Sequence, residues 1–140
     1  MRKFTIIGFF VALVVASGLL GQHFNHSRDA RLGRQIAGTW TKNVTSNRMT
    51  FSWTNPAIFT RTISSDGTFS ESLGHRSVLV TYQGTWLVKN GGLVMTVTNA
   101  QGTGNHAAGP VGGVDRCQII QVDDHQFISE TGGHTNTWSR

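Results

Sequence analysis

The chain has 140 residues, of which only 14% are charged, with 17 glycines, 2 prolines and a formal net charge of +5. That length fits one domain, and the shortage of Ala, Glu, Leu and Lys excludes a helical bundle and points to a β-rich exported domain. The single cysteine, Cys117, excludes an intramolecular disulfide and a cysteine-based metal cluster.

Two of the cations, Arg2 and Lys3, precede an uncharged, mostly apolar run from Phe4 to Leu20. Residues 1–21 therefore read as a targeting segment. A cleaved signal peptide, cut after Gly18, is one reading. The other is an uncleaved membrane anchor through residues 4–20, at the short end of what spans a bilayer. Both place the following domain outside the cytoplasm, in the cell envelope or secreted. No cysteine lies near the end of the run for a bacterial lipid attachment. From Gln22 onward ten Lys and Arg face seven Asp and Glu, a net of +3, and only Arg28, Arg31 and Arg34 cluster. A nucleic-acid surface shows a denser stripe, so no nucleic-acid partner is expected. Weak attraction to anionic membrane surfaces is compatible with this charge.

Residues 22–35 are polar and read as a linker followed by a short turn of helix. His23 and His26 lack a third and fourth ligand, so no metal site is expected there. Ile36-Ala37-Gly38-Thr39-Trp40 opens the first strand. Met49, Phe51 and Trp53 alternate with Thr50, Ser52 and Thr54 as in a half-buried strand, and Pro56 ends it. Asn43-Val44-Thr45 fits a glycosylation acceptor, relevant only in a eukaryotic secretory pathway.

Phe59–Ser64 and Thr68–Leu73 flank Ser65-Asp66-Gly67, a three-residue loop with glycine at its left-handed position. Counting outward pairs Ile63 with Phe69, Arg61 with Glu71 and Phe59 with Leu73, all on one face. An ion pair thus sits between two apolar pairs. The favoured reading is a bulge that turns Arg61 and Glu71 to water. The other points both into the interior as a polar spot.

The strongest local signal is Asn90-Gly91 between Val78–Lys89 and Gly92–Asn99. A type I′ turn needs positive φ at both central residues, and Asn-Gly provides it. The register then pairs Val88 with Leu93, Trp86 with Met95, Gly84 with Val97 and Tyr82 with Asn99. Val88, Trp86, Tyr82, Leu93, Met95 and Val97 share an inner face, and the threonines between them face solvent.

Ala100–Asp115 is glycine-rich and reads as a mobile connection. No helix follows Gly102-Thr103-Gly104, which removes it as a phosphate loop. Arg116–Val122 and Gln126–Ser129 flank an Asp123-Asp124-His125 turn; a two-residue Asp123-Asp124 loop would pair Ile120 with Phe127. Cys117 reads as a small, semi-buried strand residue, with an intermolecular disulfide as the sharper alternative.

Eight or nine short strands joined by tight turns make an antiparallel up-and-down meander. Closure into a small barrel relieves its edges, and a sandwich is the runner-up. The Ile-Ala-Gly-Thr-Trp start, Ile63–Phe69 around Ser-Ser-Asp-Gly-Thr, Tyr82-Gln83-Gly84-Thr85-Trp86, the Asp-Asp turn after Ile119-Ile120 and the closing Trp-Ser-Arg resemble small bacterial lipocalin-like domains over residues 36–140. The resemblance implies a Gly-x-Trp motif at Gly38 and Trp40. It also implies a basic residue, here Arg140 by position, packing on that tryptophan. The chain is shorter than a full lipocalin and has no C-terminal helix, which leaves a filled core open beside a ligand cavity.

The expected function is a binding module for a small apolar or amphipathic ligand. Its candidate interior lining is Trp40, Phe51, Trp53, Arg61, Phe69, Glu71, Tyr82, Trp86 and Met95. The alternative is a filled-core structural or interaction protein of the cell envelope, presenting loops to a partner. No nucleophile elbow or His-Glu-x-x-His run occurs, so no enzyme activity and no cofactor are expected. A monomer is expected.

Overall fold

The computed structural model of the chain describes residues 25–44, 57–75, 78–102 and 111–140. The targeting segment, His23, the strand expected around Phe51 and Trp53, and half of the glycine-rich stretch, residues 103–110, lie outside the described residues. Eight strands follow in order: β1 Gly38–Val44, β2 Ala57–Ile63, β3 Thr68–His75, β4 Val78–Lys89, β5 Gly92–Gly102, β6 Val114–Val122, β7 Gln126–Thr131 and β8 His134–Ser139. Each pairs antiparallel with the next, and β1 returns to β8, so the sheet is a closed up-and-down barrel rather than a sandwich.

The turn chemistry explains the central hairpin. Asn90 and Gly91 take φ of +54° and +74°, both positive as a type I′ turn requires. Val88 faces Leu93, Trp86 faces Met95 and Gly84 faces Val97, as the sequence predicts. Beyond Gly84 the register shifts, and Tyr82 meets Ala100 instead of Asn99. The cause is a bulge that leaves Thr98 out of the ladder, its Oγ1 donating to the Gln83 carbonyl at 3.3 Å. Gly84 permits this crowding. A Cβ there would sit 1.9 Å from the Thr96 carbonyl oxygen and 2.8 Å from the Phe69 ring, so β5 and Phe69 occupy the space a side chain would need.

The β2–β3 register is the expected one, with Ile63 on Phe69, Arg61 on Glu71 and Phe59 on Leu73, around a loop whose Gly67 has φ +87°. The β6–β7 pairing differs. Val122 faces Phe127, and a bulge between Ile119 and Gln121 leaves Ile120 unpaired and exposed while Ile119 turns inward. Asp123 sets this loop. Its Oδ1 accepts from the backbone N–H groups of His125 and Gln126, and its own N–H donates to the Gln126 carbonyl, so the two-residue loop is Asp124-His125, one position later than the sequence predicts. These hydrogen bonds, the one from His125 first, lower the Asp123 pKa.

Residues 25–36 form a three-turn helix, α1, where the sequence reading gives a linker and one short turn. Leu32 and Ile36, four residues apart, fall on one face of it and pack on the core. Asp29 ties the helix to the hairpin tip, its two carboxylate oxygens each accepting from a turn N–H, of Asn90 and of Gly91, at 2.8 Å. α1 therefore closes the end of the barrel where β1 starts. Beneath it Ile36, Trp40, Ile63, Phe69, Leu93, Met95, Ile119 and Phe127 form a filled core. Trp40 is fully buried, donates from Nε1 to the Ile36 carbonyl at 2.7 Å, and tilts against Phe127 at 5.9 Å between ring centroids.

Candidate functional site

Strand alternation carries side chains to one interior, but the two ends of that interior differ. Following β1 inward from Trp40, the next inward position is Lys42. β2 places Arg61 and then Phe59 on the same course, β3 places Glu71, and β6 runs back from Cys117 to Asp115. β7 continues from Phe127 to Ser129 and Thr131, and β8 contributes Trp138 and Asn136. These residues line a cavity of about 250 Å³ in the half of the barrel away from α1. That volume holds roughly eight waters and falls just under the range of about 300–1,000 Å³ usual for drug-sized ligands.

The charges are arranged around one aromatic wall. Arg61 is 6% exposed and inward-facing, which corrects the expectation that a bulge turns it to water. The register through Arg61 and Glu71 is unbroken, so alternation leaves no other side for them. Arg61 Nε and Nη2 both reach Glu71 Oε2 at 2.5 Å, with the Glu71 side chain 13% exposed, and Nη2 lies 4.0 Å from Asp115 Oδ2. The guanidinium Cζ sits 4.3 Å from the Trp138 ring centroid. Phe59 meets the same indole edge-on at 6.4 Å.

Lys42 stands on the other partners of that wall. Its ammonium donates to Asn136 Oδ1 and lies 5.5 Å from the Trp138 centroid. Among the described residues no carboxylate lies within 4.0 Å of it. Partial burial and then repulsion from Arg61 lower its pKa, against a smaller opposing pull from Glu71. Cys117 is a buried free thiol, and burial raises its pKa above the ordinary thiol value, which disfavours a nucleophilic thiolate. The Trp138 indole N–H is buried and donates to no acceptor among the described residues. No cluster of three or more His, Cys, Asp or Glu side chains fit for a metal occurs among them either.

Of the nine residues expected to line a pocket, Arg61 and Glu71 border the cavity. Trp40, Phe69 and Met95 are buried in the filled half, where Trp86 packs against the core; Tyr82 also packs on the core but pairs with Glu71, at the level of the cavity; Phe51 and Trp53 lie outside the described residues. The Trp86 indole N–H donates to the Ser64 carbonyl at 2.8 Å, and its ring faces Gly33 of α1. An apolar pocket beneath Trp86 is thus replaced by close packing. Lys42, Phe59, Asp115, Cys117, Ser129, Asn136 and Trp138 also line the cavity and are not among those nine. They are legible only by continuing the inward alternation of each strand past its apolar residues.

At the closed end Gly38, Trp40 and Arg140 form a separate unit. Arg140 lays its guanidinium 4.2 Å from the Trp40 centroid and donates from Nη2 to the carbonyls of Ala37 at 2.7 Å and Gln35 at 3.3 Å. Gly38 has φ +145°, and a Cβ there would fall 2.7 Å from Arg140 Nη2. This clasp fixes the α1–β1 junction and lies apart from the cavity. No protein-family model matches the chain, and a search of the curated proteins finds no match.

Proposed function

We propose that this chain is an exported, monomeric, lipocalin-like binding module that holds a small amphipathic ligand and performs no chemistry on it. One observation carries the reading: a barrel packed solid at its helix-closed end keeps, at its other end, an interior cavity lined by charged and polar side chains on an aromatic wall. A barrel of eight strands has just enough interior for side chains to fill or for one small ligand. Buried polar groups raise the free energy of a fold unless they find partners. A cavity so lined is better suited to a ligand with a polar head than to the purely apolar one the sequence also allows. The resemblance of the sequence motifs supports the lipocalin-like assignment, and the apolar run at residues 4–20 supports export and a membrane association.

The test is to extract the purified full-length chain with organic solvent and search for bound small molecules by mass spectrometry, alongside thermal-shift screening of amphipathic probes. A stoichiometric ligand or a saturable shift is expected. Repeatedly clean extracts with no shift would reject a carrier. The partner-presenting alternative gains from a second observation. Ile58, Leu79, Val111 and Val114 are all about half exposed or more, and each lies at the end of its strand or turn away from α1. Pull-down with the glycine-rich stretch deleted separates the two: loss of a specific partner with ligand binding intact favours an interaction protein.

A further inference from the structure

We infer that the cavity selects a singly charged anion, a carboxylate on a compact apolar or aromatic body, and that Lys42 is the residue that binds its head. This rests on the binding-module reading and adds the ligand's charge to it. The inference follows from how the four charges are partnered. Arg61 is held by Glu71 through two nitrogens and borders Asp115, so its charge is already met inside the protein. Among the described residues Lys42 has the amide oxygen of Asn136 and the π face of Trp138 as its partners. The lining thus carries one ammonium that no described carboxylate neutralises at contact distance. Asp115 does not cancel it, being half exposed to water and on the Arg61 side.

A carboxylate placed beside Lys42 would answer that ammonium with a charge-assisted hydrogen bond. Its body would lie along Phe59 and Trp138, the apolar part of the wall. A dianion such as phosphate would set a second negative charge near Glu71 and Asp115 with no cation left for it. A cation would meet the Lys42 ammonium, which no described carboxylate answers at contact distance. The volume limits the body to about the size of one ring or a short branched chain.

The experiment measures binding of benzoate, benzyl alcohol and benzylamine to the full-length chain by calorimetry at neutral pH. The three share a ring and differ in charge. Benzoate is expected to bind tightest. In Lys42→Met its affinity should fall on the order of 10- to 100-fold, the size of one charge-assisted contact, while benzyl alcohol is unaffected. Lys42→Arg should restore most of the benzoate binding. A measurement on the unaltered chain gives the same answer without a variant. Benzoate affinity should weaken as pH rises through the depressed range of Lys42; the Cys117 thiol also lines the cavity, with its pKa raised by burial, so the series is repeated in Cys117→Ala, where the weakening should persist. Equal binding of benzoate and benzyl alcohol, preference for benzylamine, or a pH-independent benzoate affinity would overturn the anion assignment and leave the binding module standing. No binding of any of the three, together with clean extracts, would overturn the module itself.

Discussion

The two halves of this barrel are made by the same strands and obey opposite rules. At the α1 end the buried inward side chains among the described residues are apolar, the helix shields them, and Trp40, Phe127, Ile36 and Leu93 are fully buried. Two residues further along β1, β2, β3, β7 and β8 the inward positions become Lys42, Arg61, Glu71, Ser129 and Asn136, and a cavity opens. Close packing therefore stabilises the fold at one end. The other end holds groups whose burial costs free energy unless they are paired.

Truncating one phenylalanine in each half is the sharpest test of that contrast. Phe127→Ala in the filled half should destabilise by about 3–5 kcal/mol. Phe59→Ala beside the cavity should cost clearly less, since the ring is only partly buried and borders space that already exists. Equal costs in chemical denaturation would erase the distinction. Next is the ion pair. Arg61→Ala should lose about 3–5 kcal/mol by leaving Glu71 buried and unpaired, whereas the double replacement Arg61→Met with Glu71→Leu should recover most of the loss. A single variant as stable as the unaltered chain would mean the pair is solvated after all.

A smaller effect belongs to the junction of helix and hairpin. Asp29→Ala removes both acceptors of the Asn90 and Gly91 N–H groups and should cost about 1–2 kcal/mol. The loss should appear as faster amide exchange in 25–36 and at the tip, with β7 and β8 unchanged. The smallest effect is pH-dependent. The Lys42 pKa is lowered in the folded chain, so between its folded value and the ordinary lysine value the unfolded chain binds more protons. The Lys42 contribution is thus a destabilisation, complete below the folded value and relieved as pH rises towards the ordinary lysine range. Lys42→Met should flatten that rise in stability between neutral and alkaline pH.

The meander, the Asn90-Gly91 turn and the β2–β3 register were legible because period-two patterning and turn chemistry are local. What failed locally failed for identifiable reasons. The shift at Gly84 depends on Phe69 approaching from another strand, which no window around residue 84 contains. The Asp123 turn is set by a side chain accepting from the backbone, which moves the loop one residue later than its composition suggests. α1 is longer than the short turn its sequence suggests: among the described residues only Leu32 and Ile36 of it pack on the core, with Gly33 between them, which leaves little apolar pattern to read. Register alone puts Arg61 and Glu71 on the inner face; the frequency of bulges at strand ends favours turning them to water, and the unbroken β2–β3 ladder removes that option.

The meeting of first and last strands has a consequence for how the chain gains and loses its shape. β1 and β8 share one paired position, Thr41 with Ser139, and are otherwise joined by side chains: Thr41 to the Ser139 carbonyl, Lys42 to Asn136, and Arg140 over Trp40. Every other junction is a multi-residue ladder between neighbours in sequence, which forms with little loop-closure entropy. This seam should zip last during folding and part first under stress, so hydrogen exchange at β1 and β8 should exceed that of β4 and β5. It is a hasp rather than a weld, and a cavity residue, Lys42, is one of its pins.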